Sequence, residues 1–154
     1  METKRRGKAE DELRQVCSVR LGDRLFGIPI RPILEIVGKV HPQPVPLAPG
    51  FVGGLVHYRG DVLTTVSLRQ VLQMPPRDGA QDLLVMEGAG GCFGLLVDAV
   101  AEVLQLSEED FEPNPSTVTE RSKAIFSGAY KLKHGLMAML DPQRLDPMKL
   151  ARAN

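Results

Sequence analysis

The chain has 154 residues, a length that suits one domain or two small lobes. Its 19 basic and 19 acidic residues cancel, which argues against a protein dedicated to nucleic acid or anionic membranes. Aromatic residues make up 5% of the chain and tryptophan is absent, which disfavours a base-stacking platform. No apolar run approaches the roughly 18 residues needed to cross a bilayer, so we expect a soluble, cytoplasmic protein.

The N-terminal segment is dominated by charge. In residues 1–15 basic residues come first and acidic residues follow, a pattern typical of a flexible, solvated tail. From Val16 apolar residues begin to alternate with polar ones, and Gly22 and Asp23 separate two short apolar runs. This arrangement predicts a β-hairpin.

The next segment changes character twice. Pro32 can open a helical turn, and Ile33, Ile36 and Val37 follow at helical spacing, so a short helix is predicted there. Residues 38–50 then contain four prolines, which exclude a helix and favour an extended, stiff connector.

The middle of the chain is rich in β-signals. Arg59-Gly60-Asp61 predicts a turn between two apolar strands, and Ser67 is a suitable N-cap for a short helix. Strands are predicted at 83–86 and 92–97, followed by another short helix and a loop over 107–120.

The C-terminal part is predicted to contain one more hairpin and a final helix. Residues 126–140 form the hairpin, with its turn near Lys133-His134-Gly135. Asp141 and Pro142 then cap and open the helix.

The chain contains two versions of one unit. Residues 26–37 align with 93–104, sharing a Phe-Gly pair and a glutamate, Glu35 against Glu102. Further on, 54–59 align with 128–133, and Ser67 falls on Asp141. The same order of features in both halves predicts two similar β lobes, each closed into a small barrel so that no sheet edge is left exposed.

An ordered series of segments carries a family resemblance. Gly22–Ile30, Pro44–Pro49, Gly53–Gly60, Thr65–Arg69 and Phe93–Asp98 together resemble the CheW-like coupling domain of bacterial chemotaxis. The resemblance implies a mainly β fold of two packed, five-stranded SH3-like β-barrels with a few short helices. Residues 16–146 would form this domain as two intertwined lobes, after the tail of residues 1–15. Residues 147–154 would form the C-terminal helix end and tail.

The resemblance also implies a function. Such proteins are non-catalytic adaptors that bind the regulatory domain of the histidine kinase CheA and the cytoplasmic tip of chemoreceptors. Recruitment to membrane-associated receptor arrays, without membrane insertion and without nucleic acid, is therefore expected. The interaction residues implied by the family's pattern are Ile30, Ile33, Glu35, Ile36, Gly54, His57, Tyr58, Arg59 and Gly60.

Two departures from the family's pattern leave alternatives open. His57-Tyr58 stand where the family often has Asn-Leu, and Ser116-Thr117 stand where it often has acidic and aromatic residues that join kinase–adaptor rings. The chain could therefore be a divergent coupler that serves a non-motility pathway. Its basic start also leaves open a basic-tailed binding module.

The residues with chemical potential do not form a catalytic pattern. Cys17 and Cys92 lack any surrounding motif and are expected in strands as small buried side chains. The three histidines have no metal-ligand spacing to each other or to a cysteine. We therefore expect no enzyme activity, no metal and no cofactor.

Overall fold

The computed structural model describes residues 13–115, 119 and 123–153, which form two β-sheets with short helices. The strands are β1 Leu13–Leu21, β2 Arg24–Pro29, β3 Ile33–Val40, β4 Val52–Tyr58, β5 Asp61–Ser67, β6 Gln81–Met86, β7 Phe93–Val97, β8 Ala99–Ser107, β9 Phe111–Pro113, β10 Phe126–Leu132 and β11 Gly135–Leu140. The helices are α1 Leu68–Val71 and α2 Pro147–Ala153, with 3-10 turns at Glu108–Asp110 and Pro142–Leu145.

The two sheets have the same strand order once the internal repeat is taken into account. Lobe A is the sheet β8-β1-β2-β11-β10-β9, and lobe B is the sheet β3-β6-β7-β5-β4. Replacing each strand of β1–β5 by its repeat counterpart among β6, β7, β8, β10 and β11 converts one order into the other. Each lobe therefore takes strands from both halves of the chain, and β9 is an addition to lobe A.

The Phe-Gly pair of the repeat lies where the two halves meet inside each lobe. Gly27 of β2 pairs with β11 in parallel, and Gly94 of β7 pairs with β5 in parallel. A β-carbon at Gly27 would overlap the Met139 side chain, and one at Gly94 would overlap the Leu83 side chain. Glycine is required at both positions because another strand's side chains fill the space that a methyl group would need.

Three apolar clusters hold the molecule together. The largest contains residues of both lobes, such as Cys17 and Ile28 from lobe A and Val66 and Leu95 from lobe B. Each barrel also has a smaller apolar cluster of its own. The one in lobe A includes Met137, and the other fills the inside of the lobe B barrel. The distribution makes the interface between the lobes the main core of the protein.

Two predicted helices are strands in the structure. Residues 33–37 belong to β3, and the segment after Val97 forms β8. β3 pairs with β6 and β8 pairs with β1, both antiparallel. Residues 33–37 contain three β-branched residues, whereas β8 contains only two, Val100 and Val103. In both segments, pairing with a free edge of a neighbouring strand decides between the two conformations that short apolar spacing allows.

Other boundaries also differ from expectation. β1 begins at Leu13, inside the segment expected to be a tail, and residues 1–12 lie outside the described part of the chain. The loop expected over 107–120 contains a 3-10 turn and β9. Cys17 is buried as expected, whereas Cys92 is exposed because β7 begins only at Phe93, after the glycine-rich turn.

A buried carboxylate lies at the point where the chain crosses from lobe B to lobe A. Asp98 stands between β7 and β8, and its side chain is 5% exposed. It accepts hydrogen bonds from Arg69 Nε at 2.6 Å, from Arg69 Nη2 at 2.5 Å and from the backbone N–H of Gly22 at 2.7 Å. The Arg69 hydrogen bonds hold the pKa of Asp98 below its usual value, with the Gly22 N–H adding to the effect.

Asp98→Asn is expected to lower the free energy of unfolding at neutral pH by about 3 kcal/mol, because it leaves the Arg69 guanidinium, whose side chain is only 14% exposed, without its counter-charge. The folded-state pKa of Asp98 is depressed, so its stabilisation is complete above the unfolded-state value of about 3.9 and is lost as the pH falls towards the folded-state value. Urea unfolding of both proteins between neutral and acidic pH tests this. The difference between them should shrink at acidic pH, and a difference that stays constant would contradict it.

Candidate interaction surface

The two outer strands of lobe B bring three of the predicted site residues together. Glu35 lies on β3, and Tyr58 ends β4, at the opposite edge of the same sheet. Arg59 follows in the turn to β5. Contact between Glu35 and Tyr58 therefore joins the two edges of the sheet and helps close the barrel.

Hydrogen bonding and charge hold this group, here called the Glu35 cluster (Glu35, Tyr58 and Arg59). The Tyr58 hydroxyl donates to Glu35 Oε2, and Arg59 Nη2 lies 3.1 Å from the same oxygen. The Arg59 guanidinium also lies over the Tyr58 ring, 5.4 Å from its centroid. The Tyr58 hydrogen bond, with Arg59 in support, lowers the pKa of Glu35, and the Glu35 carboxylate raises the pKa of Tyr58. Glu35 is therefore ionised and Tyr58 protonated at neutral pH.

The turn that carries the cluster has an unusual backbone. Arg59 and Gly60 have φ angles of 49° and 82°, and the turn joins β4 to β5 through these two residues alone. Two successive positive φ angles match the twist of a tight hairpin. Glycine adopts a positive φ angle without a steric cost, whereas for arginine this conformation is unfavourable. Arg59 takes the left-handed conformation because the two-residue turn requires it, and the turn holds its side chain in an exposed position.

Gly54 closes the barrel and does not form part of the exposed surface. Its φ angle is 121°, and a β-carbon there would lie 2.6 Å from the backbone oxygen of Gln43. Gln43, in the proline-rich connector, exchanges two 2.8 Å backbone hydrogen bonds with Leu55. The connector is therefore hydrogen-bonded to β4. Only glycine at position 54 lets the backbone of the connector approach the backbone of β4 this closely.

Exposed aliphatic side chains also lie on β3 and β5 of lobe B. Leu34 and Ile36 flank Glu35 on β3 and are 50% and 43% exposed, and Val62 on β5 is 64% exposed. Val62 pairs across the hairpin with His57, which is also exposed. Sequence reasoning singled out Ile36 and His57 but missed Leu34 and Val62, although alternation along strands β3 and β5 would have placed them outward.

Of the remaining predicted site residues, two are partly buried and one is exposed. Ile30 and Ile33 are partly buried and pack against the core between the lobes. Gly60 is exposed, and no atom lies within 4 Å of a β-carbon built there. The structure therefore gathers Glu35, Ile36, His57, Tyr58, Arg59 and Gly60 on the exposed end of lobe B, and it separates Ile30, Ile33 and Gly54 from them.

The described residues contain no group of three or more histidine, cysteine, aspartate or glutamate side chains arranged to hold a metal ion. Within the same residues, no helix is long and apolar enough to cross a membrane. Ser116 and Thr117, which the sequence associates with ring assembly, lie outside the described residues.

The two-lobed fold, the exposed Arg59 and the exposed aliphatic side chains of β3 and β5 have the features of a protein-interaction module. A family model described as "CheW-like domain" matches residues 15–147. Because the match covers most of the chain, the chain belongs to the CheW-like domain family.

Named relatives agree with this assignment. The chain is 27% identical over 136 residues to the chemotaxis protein CheW of Rhizobium meliloti, covering 87% of this chain and 88% of that protein. It is 26% identical over 141 residues to the chemotaxis protein CheW of Treponema pallidum, covering 88% and 83%. The crystal structure of the scaffolding protein TtCheW from Thermoanaerobacter tengcongensis superposes with a TM-score of 0.76 at 26% identity, covering 86% of this chain and 91% of that chain. This match confirms the expected mainly β, two-lobed fold.

Gly54→Ala is expected to lower the free energy of unfolding by more than Gly60→Ala does. Both alanines would have a positive φ angle, which costs about 1–2 kcal/mol. Only the Gly54 β-carbon also meets backbone, at Gln43. Equilibrium urea unfolding measures the difference, and equal losses for the two variants would contradict the closing role of Gly54.

Proposed function

We propose that this protein is a non-catalytic adaptor that couples chemoreceptors to the histidine kinase CheA. The observation that supports the proposal most directly is the Glu35 cluster, in which Glu35 and Tyr58 hold an Arg59 side chain that remains 73% exposed. Membership of the CheW-like family supports it further. The named relatives are chemotaxis proteins, and the matched crystal structure is described as that of a scaffolding protein.

The proposed partners are the regulatory domain of CheA and the cytoplasmic tip of a chemoreceptor. Arg59 offers several fixed N–H donors on a tight turn, and Glu35 and Tyr58 hold its guanidinium in place without burying it. Leu34 and Ile36 on β3 and Val62 on β5 add exposed apolar area to lobe B. Arginine is enriched among the residues that carry most of the binding free energy at protein interfaces.

The proposed mechanism is bivalent. The two lobes have the same strand order and a common core but expose different side chains at equivalent positions, Arg59 in lobe B and Lys133 in lobe A. Separate surfaces on a rigid body would hold two partners at a set distance, so that the state of one biases the conformation of the other. The proposed place of action is therefore the cytoplasmic side of receptor arrays.

Arg59→Ala is expected to weaken binding to the CheA regulatory domain or to the receptor tip by about tenfold or more, because anchor residues of this kind carry much of the binding free energy. The thermal midpoint should change little, because the Arg59 side chain is largely exposed. Isothermal titration calorimetry with each purified partner fragment measures the affinity, and differential scanning calorimetry measures the stability.

Lys133→Ala is the matched control, since Lys133 occupies the equivalent turn of lobe A and is also exposed. It should leave the affinity that depends on Arg59 unchanged. If Arg59→Ala binds both fragments as tightly as the wild-type protein does, Arg59 is not an anchor. If the wild-type protein binds neither fragment, the proposed function itself is wrong.

A further inference from the structure

The internal repeat gives lobe A the same two charges that meet in the Glu35 cluster, but they do not pair there. In the alignment of the two repeats, Glu102 takes the place of Glu35. Lys133 likewise takes the place of Arg59. Both lobe A residues are exposed, and neither forms an ion pair within the described part of the chain. An acidic and a basic side chain at these two positions are therefore not sufficient to assemble the cluster.

The third member of the cluster has no chemical counterpart in lobe A. Tyr58 aligns with Leu132, and both side chains are partly buried against the apolar cluster of their own barrel. The two residues thus pack in the same way, and Tyr58 adds a hydroxyl and a ring face. The hydroxyl donates to Glu35 Oε2, and Arg59 Cζ lies 5.4 Å from the centroid of the ring.

Tyr58 restrains the Arg59 side chain in two ways. Its hydroxyl holds the carboxylate oxygen that lies 3.1 Å from Arg59 Nη2, and its ring supports the guanidinium through a cation–π contact. A long side chain that is already ordered loses less conformational freedom when a partner binds it. Because the Arg59 side chain remains 73% exposed, this restraint leaves N–H groups available to a partner.

Lobe A also differs from lobe B in two features of the backbone. It has the added strand β9, and Lys133 does not have the positive φ angle of Arg59. The left-handed turn is therefore a second way to orient Arg59, and a test has to separate the turn from Tyr58.

We infer that Tyr58 is a positioning residue, which holds Arg59 in place for a protein partner and so determines which of the two lobes presents an ordered cation. Tyr58 acts through Arg59 and does not depend on a contact of its own with the partner. The inference rests on the proposed function, because the partner is the protein that binds Arg59 in that function.

The test combines variants of Tyr58 with Arg59→Ala in the full chain. The probe is the partner fragment, CheA regulatory domain or chemoreceptor tip, whose binding Arg59→Ala weakens. Tyr58→Phe removes only the hydroxyl and should weaken binding of this probe about threefold, whereas Tyr58→Leu also removes the ring and should weaken it about tenfold. In the Arg59→Ala background neither substitution should weaken binding further, because no guanidinium is left to position.

A second measurement needs no partner. In the free protein, the NMR order parameter of the Arg59 Nε–H group should fall in Tyr58→Leu towards values below about 0.6, which mark flexible groups. Circular dichroism and thermal melting of the same variant verify that the fold is intact. An unchanged order parameter would show that the left-handed turn alone orients Arg59, and it would overturn the inference.

The matched control is Tyr130→Phe, which removes the hydroxyl of the other tyrosine of the chain, beside an open cleft of lobe A. It should leave the affinity for the probe unchanged. Three results would overturn the inference while the adaptor function stands: Tyr58 variants that bind like the wild type, equal losses with and without Arg59, or an Arg59→Ala variant that weakens neither fragment. A wild-type protein that binds neither fragment would overturn the adaptor function and this inference together.

Discussion

The whole structure depends on the chain crossing twice between the two lobes. As a result, each lobe takes strands from both halves of the chain. β1 and β2 lie in lobe A, β3–β5 and then β6 and β7 lie in lobe B, and the rest of the strands return to lobe A. Neither half of the sequence can complete a sheet alone, so the largest apolar cluster lies between the lobes. At the return crossing, Asp98 ties Arg69 of lobe B to the Gly22 turn of lobe A. A charge buried at this point is tolerated because every available oxygen has a donor.

The internal repeat explains why the two surfaces can differ although the two sheets have the same strand order. A repeated backbone brings equivalent positions to equivalent places, but side chains at those positions have diverged. Lobe B closes through the Glu35 cluster and leaves Arg59 exposed. Lobe A has the extra strand β9 and an open cleft with Tyr130 inside it. A single rigid body thus presents two chemically distinct faces, which is what an adaptor between two partners requires.

The sequence predicted turns and helix caps correctly where a particular residue type favours them for a chemical reason. The hairpins around Gly22, Gly60 and Gly135 are confirmed, and Ser67 caps α1 by accepting from the Gln70 N–H, as its position predicted. The errors fall on residues 33–37 and on β8, where apolar spacing suits a short helix and a strand equally well. Pairing with β6 and β1, strands distant in the chain, decided those cases. The resemblance to the CheW-like family brought Glu35, Tyr58 and Arg59 into one list, but their mutual contacts followed only from barrel closure.

The sequence by itself determined the repeat, the turns and the membership of the CheW-like family, because these depend on residues that are neighbours along the chain or on an ordered series of motifs. Tertiary structure alone decided which strands share a sheet and which of the isoleucines are exposed. It also determined that Asp98 is satisfied internally while its counterpart Arg31 is exposed at a cleft. The physical reason is that burial and ion pairing are properties of residues far apart in sequence, and only the closed fold brings them within contact distance.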